Sequence, residues 1–295
     1  MRKTFLFKLL RRIYYALHTH KQIASKIYYK RFGKKINWKD PKDINEKINW
    51  LKFYSDTSVW TQLADKYKVR DYIQQCGLEE ILIPVYGIWD SAKDINFDEL
   101  PEAFVLKTNH GSGEIIVCKD KSKLDFEKTK HSLDEWMSES YGQYQGEPHY
   151  IKIPRKIIAE KYLFDDNTIS TQSIIDYKIW CFNGIPHYIW VCCNRTRESV
   201  YVELYDTKWN YLPENSVFTD HYRDNKGRVP KPKDLEKMLS IASVLSNGFP
   251  QVRVDLYLCN DRIYFGEMTF TSSGGYMDFY TDKFLKELGD NIRLK

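Results

Sequence analysis

The chain has 295 residues, 42% of them hydrophobic and 29% charged, with a formal net charge of +5. This balance excludes a disordered or fibrous chain and leaves room for one or two compact domains. The six cysteines form no C-x-x-C pair. Zinc-type ligand spacing is therefore excluded, and free thiols in apolar runs indicate a reducing compartment, read as the cytoplasm.

Charge is uneven along the chain. Residues 1–35 hold eleven Lys and Arg and no acid, which leaves residues 36–295 at −6 against the whole chain's +5. Phe5, Leu6, Leu9, Leu10, Ile13, Tyr14 and Leu17 recur among those charges at near-helical spacing. A helical arm is predicted, either lying peripherally on an anionic membrane face or packing on the body. It does not read as a signal peptide. Lys8 and Arg11-Arg12 break the apolar run, and no small-residue cleavage site follows. No stretch approaches the ~20 apolar residues of a membrane span. Nucleic acid is not expected as a partner, because the rest of the chain is acidic.

Beyond the arm, Ile44, Ile48, Leu51 and Tyr54 share one face of a predicted helix. A second helix is predicted over 60–76, ended by Gly77. Short apolar runs at 81–89, 103–108 and 114–118 predict strands. A helix over 125–139 and a strand over 156–164 follow. In the second half, 174–183 and 187–193 flank a turn at Gly184-Ile185-Pro186 as a hairpin, and 200–205 adds a strand. Residues 232–247 have the helical period. Strands over 251–258 and 262–269 and a Gly-rich loop at 271–275 complete the pattern. Hairpins mixed with helices give an α+β class with antiparallel sheets.

The last hairpin is the sharpest constellation. Alternation puts Arg253 and Asp255 on one strand face, and Val252, Val254, Leu256 and Leu258 on the other. Glu267 and Thr269 share a face of the partner strand. A three-residue connection, Asn260-Asp261-Arg262, sets Asp255 opposite Glu267 and Arg253 opposite Thr269. A two-residue connection puts the two acids on opposite faces. Opposed carboxylates with Cβ atoms about 5 Å apart repel unless a cation lies between them. Mg2+ meets that need, since it takes one or two carboxylates plus phosphates. An exposed polar face without metal shows the same pattern.

Two weaker features precede the hairpin. A strand carries Lys107 into a loop with Gly111 and Gly113, whose N–H groups are able to cradle phosphate. Another strand ends at Glu160-Lys161-Tyr162-Leu163, where free backbone groups suit an adenine edge. An ordinary hairpin turn explains the first equally well, and an ordinary strand end explains the second better.

In this order the pieces resemble the ATP-grasp superfamily, and within it the TupA-like ATP-grasp family found with bacterial surface-polysaccharide genes. The resemblance covers about residues 37–294. It rests on Asn45-Glu46-Lys47 with Trp50-Leu51-Lys52, Ala64-Asp65-Lys66-Tyr67 with Val69-Arg70, the run from Leu106 to Gly113, Asp176-Tyr177-Lys178, and Gly266-Glu267-Met268-Thr269. It implies a basic helical region over 1–59, a lid subdomain over 60–165 and a catalytic subdomain over 166–295. The two α+β subdomains would clasp ATP. By this resemblance Lys66, Lys107 and Lys178 contact phosphates, and Gly111, Ser112 and Gly113 close over them. Glu160, Lys161, Tyr162 and Leu163 form the adenine hinge, and Asp165 or Asp166 faces the ribose. Asp255, Glu267 and Thr269 hold Mg2+, and Arg253, the catalytic partner of Lys107, steadies an acyl phosphate. Ser272, Ser273, Gly274 and Gly275 lie by the incoming carboxylate. Thr269 stands where many ATP-grasp ligases carry Asn, and a hydroxyl is a poorer Mg2+ ligand than an amide oxygen. The implied activity joins a carboxylate, such as a uronic acid or glycan, to an amine, such as that of an amino acid or peptide. Readings as a glycosyltransferase, an ATP-grasp-type kinase or a nucleotide-binding module stay open. No Asp-x-Asp motif supports the first of these.

Overall fold

The computed structural model describes residues 13–15, 17–165 and 173–294. Residues 1–12 of the basic arm and Asp166, expected at the ribose, lie outside these described residues. Helix α1 (His20–Phe32) opens on a capping box between Thr19 and Gln22 and closes on Gly33 at φ 67°. Helix α2 (Ile44–Tyr54) starts on Asp43, whose carboxylate accepts from the Glu46 N–H at 2.9 Å. It buries Ile44, Ile48 and Leu51, three of the four residues on the predicted face.

The single helix predicted over 60–76 is two helices, α3 (Ser58–Ala64) and α4 (Val69–Gln75). Asp65 breaks it. Its Oδ1 accepts the N–H of Tyr67 at 2.8 Å and of Lys68 at 3.2 Å, and the side-chain amide of Asn109 at 2.9 Å. A side chain that captures backbone donors in this way competes with the helix ladder. The break leaves Lys66 in non-helical chain.

The first sheet joins β1 (Val85–Trp89), β2 (Phe104–Thr108), β3 (Ile115–Cys118) and β4 (Ile157–Lys161) in the order β1-β4-β2-β3, all antiparallel. The run at 81–89 becomes strand only from Val85, because Pro84 has no N–H for a ladder. Helix α5 (Phe126–Ser138) covers this sheet. Its Leu133 is fully buried with Phe104, Leu106, Ile157 and Ala159. Two short helices, α6 (Tyr141–Gln145) and α7 (Pro148–Ile151), precede β4.

The second sheet has six strands, β5 (Asp176–Phe182), β6 (Ile185–Cys193), β7 (Val200–Asp206), β8 (Tyr222–Asp224), β9 (Val252–Cys259) and β10 (Arg262–Thr269). Their order is β10-β9-β5-β6-β7-β8, antiparallel except for β7 with β8. The β5–β6 turn is Asn183-Gly184, with φ of 52° and 81°, so β6 already includes Ile185 and Pro186. Helices α8 (Leu235–Ser246) and α9 (Asp282–Asp290) pack against this sheet. Ile179, Val254 and Leu256 are fully buried with Met238, Leu245 and Leu288.

Trp60, Leu63, Val69 and Ile73, read from sequence as lid residues, bury in this same large core. The small sheet's own cluster runs from Ala92 to Ala159. No helix among the described residues is long and apolar enough to cross a membrane.

Candidate active site

The β9–β10 hairpin turns on two residues. Asn260 and Asp261 take φ of 50° and 55°, and Cys259 pairs with Arg262. The three-residue connection expected from sequence is not formed. By this register alone, Asp255 and Glu267 face opposite sides. A β-bulge reunites them. The register shifts between Phe265 and Glu267, leaving Gly266 as the extra residue, so Glu267 pairs with Asp255 and Thr269 with Arg253. Glycine is what the bulge admits. A Cβ on Gly266 would sit 3.0 Å from the Asp255 carbonyl oxygen and 3.1 Å from the Tyr257 ring. Gly266→Val is expected to destabilise by about 1–3 kcal/mol through overpacking. Thermal melts should read this as a fall of roughly 2–10 °C; an unchanged melting temperature would show that the bulge does not depend on glycine.

Arg253 ties the hairpin's polar face together. Its Nε and Nη2 each donate to Asp255 at 2.7 Å. Nη2 also reaches Glu267 Oε1 at 2.9 Å and Thr269 Oγ1 at 3.1 Å, and Nη1 donates to Ser272 Oγ at 2.8 Å. Lys178, opposite Asp255 on β5, pairs with both Asp255 and Asp176. The chain itself therefore supplies positive charge between the opposed acids, as a guanidinium and an ammonium. Burial raises the Glu267 carboxyl, but Arg253, then Lys178 and Lys66, outweigh it and hold this group down at about 2. Burial likewise works against the Lys178 ammonium, and Asp176 and Asp255 more than offset it, so Lys178 keeps its proton. Three carboxylates surround these two cations. Asp176 Oδ1 is buried with no hydrogen-bond partner among the described residues.

The loop after β2 is held just as firmly. Lys66 donates from its ammonium to the Gly111 carbonyl and from its backbone N–H to the Asn109 carbonyl. Asn109 is fully buried. Its side chain donates to Asp65 and to the Pro154 carbonyl at 2.8 Å, and accepts from the Lys156 N–H at 2.7 Å. A Cβ on Gly111 would fall 2.6 Å from the Glu114 carboxylate, and Gly113 takes φ 82°. Burial lowers the proton affinity of Lys66, Glu267 opposes this and Lys107 adds to it. Lys66 thus lies in the field of both the hairpin acid and the mid-chain lysine.

Between the sheets lies a cavity of 360 Å³, within the size range of small-molecule sites. Lys107 and Glu160 line it from the first sheet, Tyr162 and Leu163 from the chain just after β4, and Asp176 and Tyr257 from the second sheet. Lys107 Nζ sits 2.6 Å from Glu160, and both side chains are largely buried. The residue expected at an adenine edge therefore also fixes the lysine expected at phosphate.

A family model described as TupA-like ATPgrasp matches residues 46–293. The chain belongs to the TupA-like ATP-grasp family. A search of curated proteins finds no match. Among solved structures it is similar to D-alanine–D-alanine ligase from Bacillus anthracis, at 16% identity and a TM-score of 0.42 over 71% of this chain and 57% of that one. The same ligase from Helicobacter pylori matches at 14% identity and a TM-score of 0.44, over 85% of this chain and 69% of that one. D-cycloserine synthetase DcsG matches at 14% identity and a TM-score of 0.43, over 79% and 70%. The chain spans little more than half the length of the first of these ligases.

On the polar face of this TupA-like ATP-grasp protein, Mg2+ would need phosphates to complete its shell, and Asp255 would have to share its two oxygens with Arg253 and Lys178. Asp255 and Glu267 are paired oxygen donors, Glu267 keeps 38% of its side-chain surface exposed, and Asp176 Oδ1 has a lone pair without a partner. Among the described residues, no group of three or more His, Cys, Asp or Glu converges to hold an ion unaided. Thr269 Oγ1 is already engaged, donating to Glu267 at 2.7 Å and accepting from Arg253.

Asp176 and Tyr257 are among the lining residues of the TupA-like ATP-grasp cleft to which the sequence reading gives no role. Alternation carries the signal for both. Asp176 lies two residues from Lys178, and Tyr257 two from Asp255, on shared strand faces. In the loop expected at the incoming carboxylate, Ser272, Gly274 and Gly275 are buried and Ser273 is exposed. Lys52 Nζ donates to the Gly274 carbonyl at 2.8 Å and Asn49 Nδ2 to the Gly275 carbonyl at 2.9 Å. Helix α2 therefore holds this loop beside Arg253.

Proposed function

We propose that the protein is an ATP-dependent carboxylate–amine ligase that works through an acyl phosphate. One observation carries the reading. A single guanidinium, Arg253, joins the opposed acids Asp255 and Glu267 to Ser272 of the substrate loop.

In this reading Lys66, Lys107 and Lys178 neutralise phosphate charge, and the N–H groups of Gly111, Ser112 and Gly113 donate to phosphate oxygens. Glu160 to Leu163 and Tyr257 enclose the base. A substrate carboxylate oxygen attacks the γ-phosphorus, and ADP leaves. The amine nitrogen then attacks the acyl carbon, phosphate leaves with the C–O electron pair, and the nitrogen gives one proton to solvent. Arg253 stabilises the charge of the acyl phosphate, and no protein nucleophile is required. Mg2+, when held by Glu267 and Asp255, adds positive charge against the phosphates.

The family resemblance supports a bacterial surface polysaccharide or its precursor, for example a uronic acid, as carrier of the carboxylate. Exposed Ile13, Leu17 and Tyr29 among the arm's basic residues support a peripheral contact with the inner membrane face. The test is ADP release with Mg2+-ATP across uronic acids and amines, with Lys107→Ala and Glu267→Ala as controls. Release should need both a carboxylate and an amine. Equal turnover by the wild type and both variants, or release with a hydroxyl acceptor and no amine, would overturn the proposal.

A further inference from the structure

A buried acid outside the hairpin, Glu147, also holds the substrate loop. Its Oε1 accepts from Thr271 Oγ1. Glu147 stands between α6, which stops on Gly146 at φ 67°, and α7, which starts with Pro148. Its N–H donates to the Gly142 carbonyl at 2.7 Å, and Thr61 Oγ1 donates to the His149 carbonyl at 3.1 Å. The acid is therefore carried on backbone that is fixed without help from the loop.

Glu147 is 1% exposed, and its Oε2 has no hydrogen-bond partner among the described residues. A buried acid with an open lone pair costs stability, so its presence asks for a role beyond support of the fold. Burial pushes its carboxyl up to about 7, although Lys52 and the Thr271 hydroxyl pull it down. The opposite charge is engaged elsewhere on the same loop. Lys52, 3% exposed, donates to the Gly274 carbonyl at 2.8 Å and the Tyr276 hydroxyl at 3.3 Å. Acid and base thus take the two ends of one loop, Thr271 and Gly274. The loop is also tied to itself, since the Gly274 N–H donates to the Thr271 carbonyl at 2.8 Å and the Tyr276 N–H to the Ser273 carbonyl at 3.0 Å. Between the two anchors, Ser272 Oγ accepts from Arg253 Nη1 at 2.8 Å.

We propose that Glu147 is a positioning residue, which by holding Thr271 keeps Ser272 on Arg253 and the loop in place for the incoming carboxylate. The inference rests on the ligase reading and adds a residue to its site. Glu147 acts only through Thr271. A loop that is in place part of the time weakens the apparent affinity of its ligand by that fraction. Once the carboxylate has selected the ordered loop, the bound state is the same. Loss of the clamp should therefore raise KM for the carboxylate and spare kcat.

The test is steady-state ADP release by the full chain with Mg2+-ATP, on a carboxylate–amine pair that the wild type turns over. Thr271→Val removes the hydroxyl and nearly keeps the shape, and Thr271→Ser keeps the hydroxyl. Thr271→Val should raise the KM of the carboxylate at least tenfold and leave kcat within threefold. Thr271→Ser should hold that KM within twofold of the wild type. Glu147→Ala should match Thr271→Val, and the double variant should go no further than either, because both changes break one bond. The dissociation constant of ATP, read by calorimetry without the carboxylate, should stay within twofold throughout. An unchanged KM in Thr271→Val, an equal rise in Thr271→Ser, or effects that multiply in the double variant overturns the clamp. A fall in kcat and melting temperature with KM unchanged does the same, since it makes Glu147 a support of the fold only. Absence of ADP release with every carboxylate–amine pair sinks the ligase reading instead. The clamp is then read by amide exchange at Gly274 and Tyr276. Protection lost at least tenfold in Thr271→Val and kept in Thr271→Ser leaves it standing, and equal protection in both overturns it.

Discussion

Asp255→Leu is expected to destabilise the protein by about 3–5 kcal/mol, the usual effect of stranding buried charge, and to abolish ADP release. Asp255 is 1% exposed and accepts from two nitrogens of Arg253 and from Lys178. Without it, a guanidinium and an ammonium, each 13% exposed, face one another with only Asp176 and the half-open Glu267 to balance them. In a chain of this size the fall in melting temperature should be roughly 6–20 °C. A second variant separates stability from chemistry. Arg253→Met combined with Asp255→Leu replaces the pair by apolar groups of similar volume, a change that is often neutral for stability. It should recover most of the lost melting temperature and none of the activity. A single variant that melts like the wild type would mean that the cluster is solvated rather than buried. ADP release by the double variant would remove Arg253 from the mechanism.

The parts of this site visible in the sequence are those set by local period. Alternation alone separates Val252, Val254 and Leu256 from Arg253 and Asp255, and the structure keeps that division. The strand that carries Lys107 and the glycines after it are legible for the same reason. What local pattern does not carry is contact at a distance. The last hairpin has a turn one residue shorter than expected and a bulge one residue longer, and the two differences cancel at Glu267. The bulge depends on how closely the Tyr257 ring and the Asp255 carbonyl approach Gly266. The helical period over 60–76 is real on both sides of Asp65. The break comes from a carboxylate shared with Asn109, 44 residues later. Glu160 pairs with Lys107 only because β2 and β4 are neighbours. Arg31 meets Asp278 across 247 residues, so the basic arm, legible as charge, is not legible as a contact with the segment before α9.

Glu267→Gln is expected to lower turnover by about 10²–10³, the effect of removing one preorganised group that acts on the reacting charge. Its melting temperature near neutral pH should change far less than that of Asp255→Leu. The amide oxygen still accepts from Arg253 and Thr269, as Glu267 Oε1 does at 2.9 Å and 2.7 Å. The change therefore removes charge while keeping shape. Arg253, Lys178 and Lys66 hold the carboxyl at about 2, below its ordinary 4.5. A carboxyl whose affinity for protons drops on folding stabilises the fold fully above its unfolded value. That contribution fades as pH falls from 4.5 towards 2. The wild type should therefore exceed Glu267→Gln in melting temperature by more at pH 7 than at pH 3. Glu267 also stays ionised throughout the neutral range, so any change in turnover between pH 6 and 9 must come from another group, and the variant should keep the shape of the wild-type profile at lower height. A gap in melting temperature that is the same at pH 7 and pH 3 would mean that the three cations do not hold this carboxylate, and the electrostatic reading of the hairpin would fail with it.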